Sequence, residues 1–309
     1  MAYLNETAGA ARESNATAVT GSGPELFVDT VAGNNGSGLL WSGAYTTMGA
    51  AFANLLARHT ATAKSADNAT IYVRGVIAEQ ISAPLGVSGV RVIGASGGRP
   101  RHDNGVRWKE AAVAGAAPLC IVHEQGWEFH DILFVPQATY SAIKLWRAED
   151  AVHPDGSHAI FKGCKFIGAA QAGIGIEDYG GMHHVLVEDC EFNDLASGII
   201  ATNVSIAAPL RNVIQNNIFE GNKNDIAFNG SKNIVRGNLF RDVYHATTHP
   251  ITVNLAYTAD PATGNSVVDN LFADISANVT IAKGYKPSTG DNWLNHVAGT
   301  AAYIAAVPS

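Results

Sequence analysis

A six-residue motif occurs six times in this chain and constrains its fold more than any other feature. Its positions hold an apolar residue, a variable residue, a polar residue or glycine, a residue of class Ile, Cys or Asn, one spacer and phenylalanine. Successive final phenylalanines are 32, 26, 27, 21 and 32 residues apart. The copies end at Phe134, Phe166, Phe192, Phe219, Phe240 and Phe272.

The irregular period, mostly in the twenties, predicts the coils of a β-solenoid. It is too short for a propeller blade, and the repeated segments lack a helical pattern. Most copies are followed by a second short strand, so we expect parallel sheets that run the length of an all-β molecule of about eight coils. The phenylalanines should stack inside, and the fourth positions Asn217, Asn238 and Asn270 should hydrogen-bond from coil to coil.

The remaining segments divide the chain into four parts. Residues 1–24 contain almost no large apolar side chain, which predicts an extended N-terminal arm, either loose or ordered on a neighbour. Residues 25–66 predict a strand and a helix that cap the first coil, residues 67–285 the solenoid, and residues 286–309 a closing segment. The expected helix has an N-cap at Thr46 or Thr47 and a buried face of Met48, Ala51, Phe52 and Leu55.

Composition and charge exclude several classes of protein. Charged residues are 15% of the chain, against roughly a quarter in ordinary soluble domains. The net charge of −7 without a block of like charges argues against a nucleic-acid partner, and no apolar run reaches the about 18 residues of a membrane span. The N-terminus lacks the basic and apolar regions of a secretory signal, so we expect synthesis in a cytoplasm.

Cysteine usage agrees with that compartment. Three cysteines do not form a closed set of disulfides. Cys164 and Cys190 occupy the same motif position in neighbouring copies, which predicts stacked, buried and reduced thiols.

The best candidates for acid–base chemistry are Glu177 and Asp178. Consecutive residues of a strand face opposite sides, so at most one of the two carboxylates points outward. The alternative interpretation is that Asp178, Tyr179, Gly180 and Gly181 form a turn between coils, since Asp and Gly are common turn residues.

A long insertion at residues 96–117 supplies the candidate contact residues. Arg99, Arg101 and His102 would hold an anionic group or the carboxylate of a neighbouring subunit, and we favour a surface contact over a substrate site. Trp108, which lies in the insertion, is the only tryptophan that we would test for contact with a ligand. Six histidines fall on predicted loops without a completing set of ligands, so no metal site and no cofactor are expected: His153, His158, His183, His184, His245 and His249.

Several segments carry a resemblance to a known family. The phenylalanine and asparagine positions and the strand–helix cap resemble right-handed parallel β-helix proteins of the pectate-lyase-like superfamily. Residues 70–81, 90–102, 126–134 and 290–299 look like β-helical virion proteins of tailed bacteriophages. The resemblance covers about residues 25–300. It implies a right-handed parallel β-helix, and it implies no single activity because function lies on the outer surface of such rods.

The resemblance leaves two functional hypotheses. The first is a non-enzymatic virion surface protein, a capsid-decorating cement protein or small spike, which forms a homotrimer and contacts the major capsid protein or a tail protein. The second is a tailspike depolymerase, a lyase or glycoside hydrolase with Glu177 or Asp178 as its acid or base, or a protein that binds host surface polysaccharide. The chain lacks the Asn-Thr-Asp, Gly-His-Gly, Arg-Ile-Lys and Arg-x-Pro-x-x-Arg strings of pectin-cleaving relatives, which favours the first hypothesis.

Overall fold

The computed structural model describes residues 23–95, 105–111, 115, 117–146, 156–201, 209–228, 230–241, 251–253, 265–273, 282–283, 292–297 and 303–304. Within these residues, strands dominate, with one α-helix at Met48–Ala61 and one short 3-10 helix at Trp41–Gly43. No helix in this part of the chain is long and apolar enough to cross a membrane.

The strands form three ladders of parallel pairs, which we call the first, second and third sheets. The first sheet contains Glu25–Asp29, Thr70–Arg74, Arg91–Gly94, Glu128–His130, Ile160–Lys162, Leu186–Glu188, Val213–Gln215, Ile234–Arg236, Ser266–Phe272 and Asn292–Val297, with Tyr303–Ile304 antiparallel at its end. The second contains Val76–Ala78, Val106–Lys109, Ile132–Val135, Lys165–Ile167, Glu191–Asn193, Ile218–Glu220 and Leu239–Arg241. The third contains Ile81–Ser82, Cys120–Val122, Ser141–Trp146, Ile174–Tyr179, Ser197–Ala201, Asn224–Phe228, Ile251–Val253 and Ala282–Lys283.

From Thr70–Arg74 to Ile251–Val253, the described strands run through the three sheets in order, and each strand pairs with the equivalent strand of the next coil. The strand Ser266–Phe272 pairs with strands of both the first and the second sheet and thereby joins them. The all-β solenoid of parallel sheets is therefore confirmed. The coil number, the N-terminal arm and the predicted segment boundaries stay predictions, because residues 1–22 and several later segments lie outside the described residues.

A single residue turns the chain from the first sheet to the second in every copy of the motif. The third motif position has a φ between 54° and 64° in all six copies: Asp131, Gly163, Asp189, Asn216, Gly237 and Asp269. This left-handed conformation is open to glycine and tolerated by Asn and Asp, whose short polar side chains bond locally. The backbone therefore explains why the third position holds only these three residue types.

The final phenylalanines of the motif form the predicted column inside the rod. The rings from Phe134 through Phe240 stack nearly parallel, with centroids 4.7 to 5.0 Å apart. The first five members are fully buried. Phe272 continues the series at the backbone, where it pairs with Phe240.

The fourth motif positions form the predicted ladder of amides. The Asn217 side-chain amide donates to Asn238 Oδ1 at 3.0 Å, and that of Asn238 donates to Asn270 Oδ1 at 2.9 Å. The second amide hydrogen of Asn238 is donated to the carbonyl of Ile214 in the preceding coil. Because the side chains are buried and paired, each one fastens three successive coils.

A second amide ladder lies five residues before the first and was not predicted. Asn212 donates to Asn233 Oδ1 at 3.0 Å, and Asn233 donates to Asn265 Oδ1 at 3.2 Å. It fastens the corner that leads from the third sheet to the first.

Cysteines take the amide position in the two preceding coils. The Cys164 thiol donates to the carbonyl of Phe129 at 3.3 Å, and the Cys190 thiol donates to that of Phe161 at 3.5 Å. Both are buried and free of disulfides, as predicted. Burial raises the pKa of the Cys190 thiol well above its ordinary value, so this thiol stays protonated.

The helix covers the first coil as predicted. The Thr47 hydroxyl accepts the N–H of Ala50, and the buried face comprises Met48, Ala51, Phe52 and Leu55. The Glu79 carboxylate, from the coil beneath, accepts the N–H groups of Met48 and Gly49 at 2.7 and 2.8 Å. A carboxylate at the N-terminal end of a helix is stabilised by the helix dipole, so Glu79 links the capping helix to the rod.

We expect Asp189→Val to lower the free energy of unfolding by about 1–2 kcal/mol, because a β-branched residue is strained in the left-handed conformation. Asp189 is exposed, so the change leaves core packing intact. Asp189→Asn, which removes the charge alone, should stay within about 0.5 kcal/mol of the parent. Urea unfolding of the three proteins measures the difference, and equal losses in both variants would contradict the assignment of strain.

We expect Asn238→Leu to cost on the order of 3 kcal/mol, because it leaves the backbone N–H and side-chain amide of Asn217 without their buried acceptor. The matched control is Asn216→Gly at the neighbouring exposed corner, where the motif already tolerates glycine. Thermal unfolding should place the control near the parent. A loss for Asn238→Leu no greater than that of the control would mean that the ladder contributes little.

Candidate functional site

One cluster on the outer surface of the third sheet combines a carboxylate, an amine, a hydroxyl and aromatic rings. The strands Ser141–Trp146 and Ile174–Tyr179 pair in parallel, which sets Lys144 opposite Glu177 and Trp146 opposite Tyr179. Residues two apart on a strand share a face, so these four side chains point the same way. We call Lys144, Glu177, Trp146 and Tyr179 the third-sheet cluster.

The contacts within the cluster are close and mutually supporting. The indole of Trp146 stacks on the Tyr179 ring with centroids 4.3 Å apart. The Lys144 ammonium lies 4.7 and 4.4 Å from these two ring centres and 3.6 Å from Glu177 Oε1. The Ser141 hydroxyl donates to Glu177 Oε2 at 2.8 Å. Cation–π attraction and the ion pair together hold the lysine in one place.

The cluster remains accessible to solvent. The side chains of Lys144 and Glu177 are 16% and 27% exposed. His123 extends it on the side of the preceding coil, with its ring edge-on to Trp146 at 6.3 Å. The arrangement suits contact with a sugar or a protein, through ring edges for apolar surface and through Lys144 and Glu177 for hydrogen bonds.

Glu177 and Asp178 point to opposite sides of their strand, as the alternation predicts. Asp178 is buried, and its Oδ1 accepts the N–H groups of Gly181 and Met182 at 2.8 Å each. Asp178 and Tyr179 thus belong to the strand Ile174–Tyr179, and the Asp178 side chain caps the turn that follows it. An acid–base role for Glu177 stays a prediction.

The contact residues predicted in the insertion have different outcomes. Arg99, Arg101 and His102 lie outside the described residues, and their role stays a prediction. Trp108 is fully buried in the strand Val106–Lys109, stacks on Phe134, and donates its indole N–H to the carbonyl of Glu79. The interpretation of Trp108 as a surface contact is therefore wrong, since this stretch forms a strand whose alternate residues face the core.

The histidines within the described residues are spread over the fold: His59 lies in the helix, His130 and His296 lie in strands, and His158 and His184 lie at corners between strands. His158 and His184 both have positive φ values, and their rings stack 4.8 Å apart. No group of three or more His, Cys, Asp or Glu with the geometry of a metal site occurs in the part of the chain that the structure describes.

A buried carboxyl group lies at the start of the third-sheet strand Asn224–Phe228. Asp225 is almost completely buried and accepts a hydrogen bond of 2.9 Å from the Asn222 amide. Burial raises the pKa of Asp225 to about 7, against the smaller opposing effect of that hydrogen bond.

The sequence contained a signal for the third-sheet cluster that we did not use. The triplets Lys144-Leu145-Trp146 and Glu177-Asp178-Tyr179 both place a charged residue two positions before an aromatic one. Each follows an isoleucine that the structure places in the core, Ile143 or Ile176. An alignment of the third-sheet strands of successive coils, in addition to the alignment of the motif, would have set the two triplets side by side.

Comparison with protein families assigns the second half of the chain to a known family. A family model described as "Right handed beta helix region" matches residues 148–306. No curated protein matches the chain.

Three solved structures illustrate the similarity. The pectate lyase Pel9A is 13% identical over 89% of this chain and 82% of that chain, with a TM-score of 0.42. A pectin methylesterase in complex with hexasaccharide VII is 10% identical over 92% of each chain, with a TM-score of 0.41. The Dettilon tailspike protein is 12% identical over 88% of this chain and 68% of that chain, with a TM-score of 0.28.

We expect Asp225 to make stability decrease as pH rises. Its pKa is about 7 in the fold and about 4 in an unfolded chain, so between these values only the folded state keeps the proton. The stabilisation is fully present below about pH 4 and is lost as pH rises through about 7. Urea unfolding at pH 5 and pH 8 should show a larger loss for the parent than for Asp225→Asn. Equal losses in the two proteins would contradict a raised pKa at this residue.

Proposed function

The chain belongs to the right-handed β-helix family, and on that premise we propose that it is a non-enzymatic surface protein of a bacteriophage virion. It serves as a capsid-decorating cement protein or a small spike and acts through the outer surface of a rigid rod. Its partners are other copies of itself in a homotrimer, and the major capsid protein or a tail protein. The N-terminal arm takes part in docking, and the protein reaches the virion from the host cytoplasm.

The pairing of charged side chains across coils is the observation that carries this proposal. Lys162 donates to Glu188 at 2.8 Å, Gln215 donates to Glu188 at 2.7 Å, and Arg236 donates to Gln215 at 2.8 and 2.9 Å. On the second sheet, Lys165 pairs with Glu191 and Arg241 pairs with Glu220.

These pairs place polar groups in fixed rows along the rod. The pKa of Glu188 is lowered by its hydrogen bonds from Lys162 and Gln215, so this carboxylate stays ionised. A permanently charged, paired carboxylate suits a preformed contact surface better than proton transfer near neutrality. A rigid surface of this kind binds a partner without first having to be ordered.

The virion assignment itself is supported by the resemblance of residues 70–81, 90–102, 126–134 and 290–299 to phage β-helical proteins. A cement protein needs a stiff body that spans neighbouring capsid subunits. The stacked phenylalanines and the two amide ladders supply that stiffness here.

A second candidate function rests on the third-sheet cluster. Glu177 lies beside an ammonium, a hydroxyl and two aromatic rings on an accessible face. In a polysaccharide lyase or glycoside hydrolase, Glu177 would act as acid or base and Lys144 would bind an anionic sugar. In a host-recognition protein, the same residues would bind glycan without turnover.

Incubation with host surface polysaccharide separates these functions. Reducing ends and the ultraviolet absorbance of unsaturated sugars should both stay at the level of the blank. Glu220→Gln is the matched control, since it makes the same change on the second sheet. Turnover that is lost in Glu177→Gln but retained in this control would contradict the non-enzymatic proposal.

Experiments with virus particles form the second part of this test. Native mass measurement should give a trimer, and particles that lack the protein should lose capsid stability. A protein without residues 1–24 should bind such particles more weakly. Undiminished binding by the truncated protein would exclude the arm as a docking element.

A further inference from the structure

The outer face of the third sheet carries apolar residues on both sides of the third-sheet cluster. Strand pairing sets one residue from each of five successive strands in a single line. Each of these residues is half-buried, and its two neighbours along the strand are buried, so all five side chains face away from the core. We call this line the outer column: Ile121, Lys144, Glu177, Ile200 and Ala227.

The two charged members of the outer column neutralise each other. Lys144 Nζ lies 3.6 Å from Glu177 Oε1, and Glu177 Oε2 accepts the Ser141 hydroxyl at 2.8 Å. The ammonium also lies over the rings of Trp146 and Tyr179, which stand two residues further along the same strands. Because both charges have partners within the chain, the column can be covered without leaving a buried charge unpaired.

The first sheet has a different character at its outward line of residues. Strand pairing aligns five polar or charged side chains there, in five successive coils: His130, Lys162, Glu188, Gln215 and Arg236. The third sheet instead presents aliphatic and aromatic side chains around one ion pair. The cores of protein–protein interfaces are depleted in charge and enriched in Trp and Tyr, so the third sheet has the composition of a contact surface.

We propose that copies of this chain associate through the outer face of the third sheet. The inference rests on the homotrimer of the proposed function and assigns its contact surface. In a cyclic assembly of parallel rods, Lys144 of every copy lies at one level, and Glu177 lies one coil, about 4.8 Å, further on. Each ammonium is then within one coil of the carboxylates of all copies, so the face is complementary to itself in charge.

The third sheet is large enough for most of such a contact. Its eight strands, spaced by about 4.8 Å, span about 34 Å, and a strand of five residues is about 17 Å long. The face therefore covers roughly 600 Å². A stable interface buries about 800 Å² on each partner, so the corners beside the sheet need to supply only the remainder.

A second copy fits this face better than a glycan. Sites for small ligands are concave and hold polar groups that converge on the ligand. Here the polar groups of Lys144 and Glu177 bond to each other and to Ser141. The aliphatic members Ile121 and Ile200, on either side of them, offer no side-chain hydrogen bond at all.

The test exchanges the charges of the ion pair. Lys144→Glu sets two carboxylates side by side on the face and should raise the dissociation constant of the trimer at least about tenfold. Lys144→Glu/Glu177→Lys restores a neutral pair and should return the constant to within about threefold of the parent. Sedimentation velocity over a series of concentrations measures the constants, and the melting temperature shows whether each variant is folded.

A second variant keeps the test decisive if Lys144→Glu does not fold. Ile200→Lys adds a long side chain at an outward position, where its charge can stay in water in the monomer, and it should also weaken association at least about tenfold.

The matched controls make the same two changes on the second sheet. Lys165 and Glu191 form a similar pair across coils, with N–O distance 3.1 Å, and Ile218 is also half-buried and outward. Lys165→Glu and Ile218→Lys should each leave the association constant within about twofold of the parent.

Three outcomes would overturn the proposal. If the parent is a trimer and folded Lys144→Glu or Ile200→Lys associates as tightly, the trimer stands but its surface lies elsewhere. A monomeric parent would remove the homotrimer of the proposed function together with this surface. A Lys144→Glu protein that stays trimeric but no longer binds host surface polysaccharide, when the parent does bind it, would assign the face to a glycan instead.

Discussion

The left-handed residue between the first and second sheets is the constraint on which the rest of the rod depends. It turns the chain from one sheet to the next in a single residue, so the fourth motif position and the phenylalanine follow it at a fixed distance in all six copies of the motif. Because side chains alternate along a strand, a shift of one residue would turn the phenylalanine outward. Asp189 or Gly237 therefore sets, by backbone conformation alone, which side chains stack in the core.

The interior was predictable because the repeated motif shows which residues of successive coils pair with one another. Phe166 and Phe192, or Asn217 and Asn238, share a motif position, and parallel coils place such positions above one another. The second amide ladder was missed because Asn212 lies outside the motif. Trp108 was assigned to the surface because its segment was treated as an insertion, whereas Val106 and Trp108 are alternate residues of a strand and both face the core.

The outer surface was harder to predict for a physical reason. Lys144 and Glu177 meet only because the strands pair in one register across 33 residues, and the connections between strands vary in length from coil to coil. Local sequence does not determine that register. Where position relative to the motif is fixed, as for Lys162 and Glu188, the surface could have been deduced from the sequence alone. The functional proposals thus follow from register more than from any single motif.

The amide ladders also give the rod a direction. In both, the side-chain amide of one coil donates to the oxygen of the coil that comes later in the chain, as Asn212 does to Asn233 and Asn217 to Asn238. On a ribosome, where N-terminal segments emerge first, each finished coil that carries these asparagines presents unsatisfied donors to the coil still being made. The growing end thus acts as a template, and the order of translation is also the order in which the hydrogen bonds of the rod can close.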